Sequence, residues 1–369
     1  MAALTLRCNA SSRTVDAWCT RSWMIAATGE PGSADIRLPY SSGAASSTFV
    51  DPRGGSWVEV ADEGGIGKWV GIVRELDYGE TEIRITAEQP QTMLGDRIMH
   101  WETTLRHAQP VGYVAGKVLR EALPGVPYLW MDPDWPYDGS DPLMRDYAFS
   151  GQDAWAVLLD LMELCTSELV INADTGEVSW MGALAGDLRQ TALLIADGNL
   201  RNWSYRASGR ERAGEVMVKR GSERYSVYSG GANIAYPGQV TITADSGYGL
   251  HGIAQAELNR RSGAVIAITG AVPSELFSLR ERDFVRVVVP PGQFSGAEHP
   301  CRILGRSASD DSPLMPLVMQ VIDEVAGVAV APPMRSGGSA SSGAKGRGSF
   351  AQRFRSTQRA TWRSWLGDH

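Results

Sequence analysis

Two segments of the sequence, residues 55–90 and 282–323, follow the same order of strands and turns, and this repetition limits the possible folds most. The first reads GSWVEVADEGGIGKWVGIVRELDYGETEIRITAEQP, and the second reads RDFVRVVVPPGQFSGAEHPCRILGRSASDDSPLMPLVMQVID. In each, apolar or alternating runs are separated by turns rich in Gly, Pro or acidic residues, which is typical of antiparallel strands. A three-stranded sheet hides one face only, so each segment must close into a barrel or pack on another sheet. The sequence therefore predicts two copies of a barrel-like unit.

The strands expected in the two segments can be placed by their apolar runs. They cover residues 57–60, 69–73 and 82–86 in the first segment, and 284–289, 301–305 and 317–322 in the second. Both segments run strand, Gly turn, strand, acidic turn, strand. We therefore expect the two to superpose.

The period of the apolar residues changes between the two segments. Helical spacing predicts one helix near residues 111–122, a second near 155–162 after the cap signature Ser150-x-x-Asp153, and a third over 248–261 that ends at Gly263. Residues 173–176 are expected to join two alternating strands as a hairpin. The fold class is therefore mainly β with an α+β insertion and two repeated β-barrel-like domains.

The expected domain organisation has five parts. They are a first β-barrel domain (1–100), an α+β inserted domain (101–200), a second β-barrel domain with a linking helix (201–331), a Gly/Ser-rich linker (332–349) and a basic, aromatic C-terminal helix (350–369). The linker is assigned by composition, because Gly and Ser give the backbone freedom without apolar side chains to bury.

Charge is distributed unevenly along the chain. The net charge is −7, but residues 345–369 hold six basic residues against Asp368 alone, so that residues 1–344 carry −12. An acidic body repels nucleic acid, which argues against general DNA binding. No stretch has the pattern of a secretory signal or a membrane-spanning helix, so neither is expected. Of the four cysteines, Cys8 and Cys19 could bridge a hairpin, although free thiols are the simpler expectation.

Two Gly-rich segments approach phosphate-binding motifs. GYGLHG, with Gly247, Gly249 and Gly252, matches G-x-G-x-x-G between a strand and a helix. The strand before it alternates polar and apolar residues, however, and the chain lacks repeated β-α units, so a Gly-rich helix start is favoured over a nucleotide site. GGIGKW, at residues 64–69, lacks the other residues of a phosphate loop and is interpreted as a turn. No cofactor is predicted.

Carboxylates and aromatic rings alternate in the segment WMDPDWPYDGSDP, which contains Asp132, Asp134, Asp138 and Asp141. Such a loop could bind calcium or a sugar, and a pair of acids would suit glycoside hydrolysis. Pro136 stands where a third calcium ligand would fall, so a structural surface loop is preferred. His100, Glu102 and His107 lack the H-E-x-x-H spacing of a zinc site. No nucleophile motif is present, and the protein is expected not to be an enzyme.

The combined pattern resembles the hub proteins of phage tail tips and baseplates. The resemblance covers about residues 4–325, and it is carried by GSWVEV, KWVGIVRELD, IRITAEQPQTMLGDR, GQDAWAVLLDLMELCTSELVINADTGEVSW, LLIADGNLRNWSYRASGRERAGEVMVKRG, AELNRRSGAVIAITGAV, RDFVRVVVPPG and CRILGRSAS. It implies a homotrimeric ring in which two barrels per chain mimic a sixfold ring at the end of the tail tube. The residues after about 331 do not map onto this pattern.

The resemblance also implies partners and a location. The expected partners are the distal tail or tube protein, the tape measure protein and a downstream tail-tip protein, with DNA only in transit through the lumen. The expected location is the tail tip of the virion, after synthesis in the host cytoplasm. A carbohydrate-binding or carbohydrate-hydrolysing β protein built around residues 130–141 is the alternative.

The C-terminal segment provides the only predicted binding residues. Helical spacing places its aromatic side chains on one stripe with arginines around them, which suggests docking to a partner tail protein or a neighbouring subunit. The candidate partner-binding residues are Phe350, Phe354, Arg355, Arg359, Trp362 and Trp365. A disordered basic tail and a helix that touches nucleic acid are the alternatives.

Overall fold

The computed structural model describes residues 3–8, 11–24, 31–42, 56–61, 64–103, 107–137, 139, 141–144, 147–165, 167–182, 190–208, 214–228, 239–243, 250–261, 265–289 and 298–322. The chain separates into two compact units, Met1–Pro333 and Met334–His369, and every described residue belongs to the first. Within the described ranges, none of the helices has the length and apolar character that crossing a membrane requires.

The first part of the chain is made of seven antiparallel strands. They are β1 (Ala3–Cys8), β2 (Ser11–Asp16), β3 (Trp18–Met24), β4 (Ser33–Pro39), β5 (Trp57–Val60), β6 (Trp69–Tyr78) and β7 (Glu82–Glu88). Buried and exposed residues alternate along β3, β4 and β7, because successive side chains of a strand point to opposite faces of the sheet. Their spatial order is β3-β4-β7-β6-β5-β1-β2.

An α+β region follows the first seven strands. It contains a 3-10 helix (Pro90–Asp96), β8 (Ile98–Thr103), β9 (Gln109–Pro110), α1 (Val111–Ala122), β10 (Trp130–Met131), β11 (Leu143–Met144), β12 (Tyr147–Asp153), α2 (Ala154–Glu163), β13 (Ser167–Ile171) and β14 (Glu177–Gly182). The predicted apolar faces of α1 and α2 are buried, and the hairpin at residues 173–176 joins β13 to β14. The cap of α2 is corrected: Asp153 accepts a hydrogen bond from the Ala156 amide (2.8 Å), whereas Ser150 lies in β12.

The last part of the described chain returns to strands. It contains β15 (Gln190–Ile195), β16 (Arg201–Ser208), β17 (Glu215–Arg220), β18 (Glu223–Tyr228), β19 (Gln239–Thr243), α3 (Leu250–Arg261), β20 (Val265–Pro273), β21 (Phe284–Val288), β22 (Glu298–Ser309) and β23 (Leu314–Val321). The strands β17, β18 and β19 form a separate sheet, and α3 packs on it through Ile253, Ala254 and Leu258. The third helix thus belongs to a small α+β layer inserted between β16 and β20.

The predicted repeat is present and is longer than the sequence indicated. The strands β3 to β7 lie in the order β5-β6-β7-β4-β3, and β16, β20, β21, β22 and β23 lie in the order β21-β22-β23-β20-β16. If the five strands of each set are numbered 1 to 5 along the chain, both sets lie in the spatial order 3-4-5-2-1. Every neighbouring pair is antiparallel. The two sets therefore share one five-stranded topology, which we call the first and second β units.

The register of the two units also corresponds. Trp57 pairs with Ile72 in the first unit as Phe284 pairs with Arg302 in the second. The pairing of β6 with β7 shifts by one residue after Val73, and that of β22 with β23 shifts after Ile303. The match of both register and bulge supports the prediction that the two segments superpose.

The two β units form one continuous sheet with two cores. The strand β22 pairs with β23 along one edge, and along its other edge it pairs first with β21 and then with β3 of the first unit. One apolar cluster lies in each unit, and Ile66 packs against both clusters. The junction of β22 with β3 is therefore where the two units meet.

Candidate assembly site

The junction between the β units is a strand pairing at close range. Ser307 lies opposite Ser22, and Gly305 lies opposite Met24. A Cβ atom added to Gly305 would lie 2.4 Å from the Met24 sulfur and 3.1 Å from the Trp23 carbonyl oxygen. A larger residue at this position would therefore displace the end of the Met24 side chain and crowd the Trp23 carbonyl across the junction.

A buried arginine holds the interior of this junction. The Arg306 guanidinium stacks 4.2 Å from the centre of the Trp23 ring and donates a hydrogen bond to Glu281 (2.6 Å). It also donates to the carbonyl of Ile66, in the turn between β5 and β6. One side chain of β22 thus connects a strand and a turn of the first unit to the loop before β21. Burial lowers the pKa of Arg306, and the Glu281 carboxylate opposes this shift.

A second ionic contact, between Arg21 and Asp310, lies at the end of the β22–β3 junction. Arg21 of β3 is buried and lies 3.0 Å from the Asp310 carboxylate, in the turn after β22. The other carboxylate oxygen of Asp310 accepts a hydrogen bond from the Cys19 amide (2.9 Å), and the Asp310 amide donates to the Cys19 carbonyl (3.1 Å). The Cys19 thiol beside it is buried, and burial raises its pKa to about 12.

A buried glutamate attaches the α+β region to the second β unit. Glu168 of β13 contacts Arg302 of β22, and both side chains are almost completely buried. The same carboxylate lies 3.2 Å from Arg282. Because a buried charge without a partner is very unfavourable, this group fixes β13 against the outer face of β22.

Open edges in the described part of the continuous sheet include those of β2, which pairs only with β1, of β15, which pairs only with β21, and of β6 and β16. The strand β6 pairs with β5 only through residues 69–72, so its last residues have β7 on one side alone. The strand β16 pairs only with β20. Glu75 and Asp77 are exposed on β6, and Arg201 and Arg206 are exposed on β16. Open edges of this kind are templates for pairing with another chain.

Three of the four aspartates of the 130–141 loop are described, and Asp141 has different surroundings from Asp132 and Asp134. Asp141 is buried and accepts hydrogen bonds from the Ser167 hydroxyl (2.6 Å) and the Trp180 indole (2.8 Å). Asp132 accepts a hydrogen bond from the Asp134 amide (2.8 Å), which makes a local turn, and Asp138 lies outside the described residues. Asp141 therefore supports the fold of the inserted region, as the structural interpretation expects.

The other sequence motifs are resolved in part. Cys19 is a free thiol, so a bridge from Cys8 to Cys19 is not formed. Residues 64–69 lead from a turn into β6, as expected, whereas Gly247 and Gly249 lie outside the described residues. His107 is exposed, and His100 and Glu102 lie in β8. Within the described ranges, no three His, Cys, Asp or Glu side chains are placed to hold a metal ion.

The predicted partner-binding residues stay a prediction. All six, Phe350, Phe354, Arg355, Arg359, Trp362 and Trp365, lie outside the described residues.

Sequence reasoning missed the buried arginines of the junction. Arg21 stands between Cys19 and Trp23 at an inward position of β3, and this break in the apolar alternation was the available signal.

Comparison with solved structures identifies the architecture. The 43 kDa tail protein of prophage MuSo2 from Shewanella oneidensis has a TM-score of 0.62 and 17% identity, over 88% of this chain and 99% of that one. The chain has the fold of a phage tail protein. A tail protein from Neisseria meningitidis MC58 has a TM-score of 0.60 and 14% identity, over 86% of this chain and 96% of that one.

A third similar structure comes from a secretion system. The Escherichia coli c3393 protein is a component of the type VI secretion system with structural similarity to the T4 bacteriophage tail proteins gp27 and gp5; its TM-score is 0.58, with 13% identity over 89% of this chain and 80% of that one. No protein-family model and no curated protein matches the sequence. The fold expected from the hub resemblance is therefore confirmed by structure alone.

Proposed function

We propose that the protein is a structural hub of a phage tail tip or baseplate, where it closes the tail tube and joins it to distal tail-tip proteins. The observation that carries this proposal is the pair of β units in one chain, joined edge to edge through β22 and β3. Three such chains supply six equivalent β units, so a threefold ring adapts to a sixfold tube. Ring closure also removes the open edges of β6 and β16, which are otherwise sites of uncontrolled association.

The charge of the body suits a protein through which DNA passes. Residues 1–344 carry a net charge of −12. Like charges repel, so a ring of this composition would let DNA exit without binding it. We accordingly assign a structural rather than a catalytic role, a place in the virion tail, and distal tail, tube and tape measure proteins as partners.

The ring is tested by measuring the mass of the purified full-length chain by light scattering across a concentration series. We expect a species of three chains. A chain that stays a monomer at all concentrations, or a ring of six chains, would reject the hub proposal.

The C-terminal segment is tested separately. We propose that residues 350–366 form a helix whose aromatic residues dock on a partner tail protein or a neighbouring subunit. A chain truncated after Pro333 should fold and yet fail to join its partner, and Trp362→Ala with Trp365→Ala should reproduce most of that loss. Incorporation of the truncated chain into infectious particles at the normal level would contradict this role.

A further inference from the structure

The correspondence between the β units assigns a partner to the open edges of β6 and β16. In the shared topology, β6 of the first unit occupies the place of β22 in the second, and β16 occupies the place of β3. Within the chain, β22 pairs with β3. The equivalent pairing, β6 with β16, is absent from the strand pairs of the described chain. We propose that β6 of one copy pairs with β16 of a neighbouring copy, antiparallel and in the register of β22 with β3. This inference rests on the proposed ring and specifies its interface.

The register of this pairing follows from the aligned strands. Glu75 corresponds to Gly305, because both resume pairing directly after the bulge, so Asp77 corresponds to Ser307. On the other strand, Arg21 pairs with Ala34 of β4 at the place where Tyr205 pairs with Ile268 of β20. The residues that follow them, Ser22 and Arg206, therefore correspond. The inter-copy pairs are Glu75 with Ser208, Leu76 with Ala207, Asp77 with Arg206, Tyr78 with Tyr205, and Gly79 with Ser204.

Charge complementarity supports this register independently of the alignment. Within the chain, Ser307 faces Ser22 at the corresponding position. Between copies, the transferred register puts the exposed Asp77 opposite the exposed Arg206. Glu75, two residues before Asp77 on the same face, is the diagonal neighbour of Arg206. Opposite charges that face each other across an antiparallel pair are favourable, and like charges are unfavourable.

The inward faces of the two edges also match. Tyr78 lies opposite the buried Ile83 on β7 and is 59% exposed, and Leu76 packs against the first core from the same face. Tyr205 lies opposite the buried Ile268 and packs against the second core. A β6–β16 pairing would place Tyr78 against Tyr205 and continue the apolar interior from one unit to the next. The open edge thus has an apolar row and a charged row, each with a complement on β16.

In this pairing each copy uses two different edges: β6 contacts one neighbouring copy, and β16 contacts the other. An interface between two different surfaces generates a closed ring or an open filament, depending on the rotation between copies. Since the interface repeats the β22–β3 junction, every step from one unit to the next has the same rotation, within a copy or between copies. Each copy spans two such steps, so three copies complete six units if the ring closes.

The proposal is tested by disulfide trapping in the full-length chain. Directly opposed residues of an antiparallel pair have Cα atoms about 4.5 to 5.5 Å apart, within the range of a disulfide. The variant D77C/R206C should form inter-chain disulfides under mild oxidation, with a ladder of covalent species that ends at three chains. The matched control is D77C/R201C, because residue 201 lies on the same strand about 15 Å away along it. Trapping of D77C/R206C no greater than that of the control would overturn the proposal.

A charge exchange checks the same contact without cysteines. D77R or R206D alone should weaken assembly about tenfold or more, since like charges then face each other, and D77R/R206D should restore it. The control E121R changes an exposed residue on α1 and should leave assembly unchanged. If the unsubstituted chain forms a trimer while neither the trapping nor the charge rescue is seen, the β6–β16 pairing is wrong and the ring stands. If the unsubstituted chain remains a monomer, the ring itself fails.

Discussion

Replacement of Arg306 by alanine should be among the most destabilising single changes in the described chain. The side chain is buried at the junction of the two β units, where it pairs with Glu281, donates to the Ile66 carbonyl and stacks on Trp23. Arg306→Ala removes all three contacts and leaves a carboxylate and a carbonyl group without their partner. The change therefore weakens the contact between the units and uncovers one face of Trp23, a member of the first apolar cluster.

The expected cost follows from these contacts. Breaking a buried ion pair by removing one partner costs about 3–5 kcal/mol in the free energy of unfolding. The stacked guanidinium adds about 0.5–2 kcal/mol. These contributions are coupled through one side chain, so we expect a total loss of about 4 kcal/mol. Arg306→Lys should recover only part of it, because an ammonium cannot reproduce the planar fork of donors.

Urea unfolding followed by tryptophan fluorescence measures this loss, because the twelve tryptophans of the chain, Trp23 among them, change their surroundings on unfolding. Arg74→Ala is the matched control: Arg74 makes ion pairs with Glu88 (3.2 Å) and Asp96 (3.0 Å), but it is partly exposed. Exposed ion pairs contribute about 0–1 kcal/mol each, so this variant should lose less than about 1.5 kcal/mol. A loss for Arg306→Ala equal to that of the control would refute the reasoning that this side chain joins the β units.

Three further predictions concern buried positions. Asp141→Ala should lower the free energy of unfolding by about 2–4 kcal/mol, because it leaves the Ser167 hydroxyl and the Trp180 indole unpaired. The control Asp134→Ala should change it by less than about 0.5 kcal/mol, and urea unfolding measures both variants. Gly305→Ala should cost about 1–3 kcal/mol through the contact with Met24, and Gly139→Ala, whose Cβ meets open space, is its control in thermal unfolding. The thiol of the buried Cys19 has a pKa of about 12 and stays protonated at pH 8, so it should resist alkylation in the folded chain and react after unfolding. Mass spectrometry measures the labelled fraction, and rapid labelling of the folded chain would contradict its burial.

The strands of the two β units were predictable because their apolar residues alternate or run continuously between clear turns. The strand boundaries were less accurate: β22 extends from Glu298 to Ser309, well beyond the predicted 301–305. Its extra residues at the start, 298–300, pair with β21, and those at its end, 306–309, are extended because they pair with β3 of the other unit. Local sequence carries no signal for a partner that is almost 300 residues away.

The ionic contacts of the site were not predictable for a related reason. Arg302, Arg306 and Glu168 are charged residues in strands, and strands usually place such residues in solvent. Their burial depends on the packing of the α+β region and of the first unit against β22, which are tertiary contacts. The sequence indicated that the units repeat, but only the strand pairing shows where they join.

The difference between the two kinds of junction has a physical reason. The β22–β3 pair connects segments of one chain, so its partners are held at high effective concentration, and its outward position can hold two uncharged serines beside the buried contacts of Arg306 and Arg21. In the proposed ring, the β6–β16 pair must instead be found by diffusion and must exclude other open edges in the cell. Facing charges serve this purpose, because they favour one register and penalise edges of the wrong sign. At the equivalent positions, the junction within the chain has Ser22 and Ser307, and the proposed junction between chains has Arg206 and Asp77. Charges are therefore found at the junction that must select its partner.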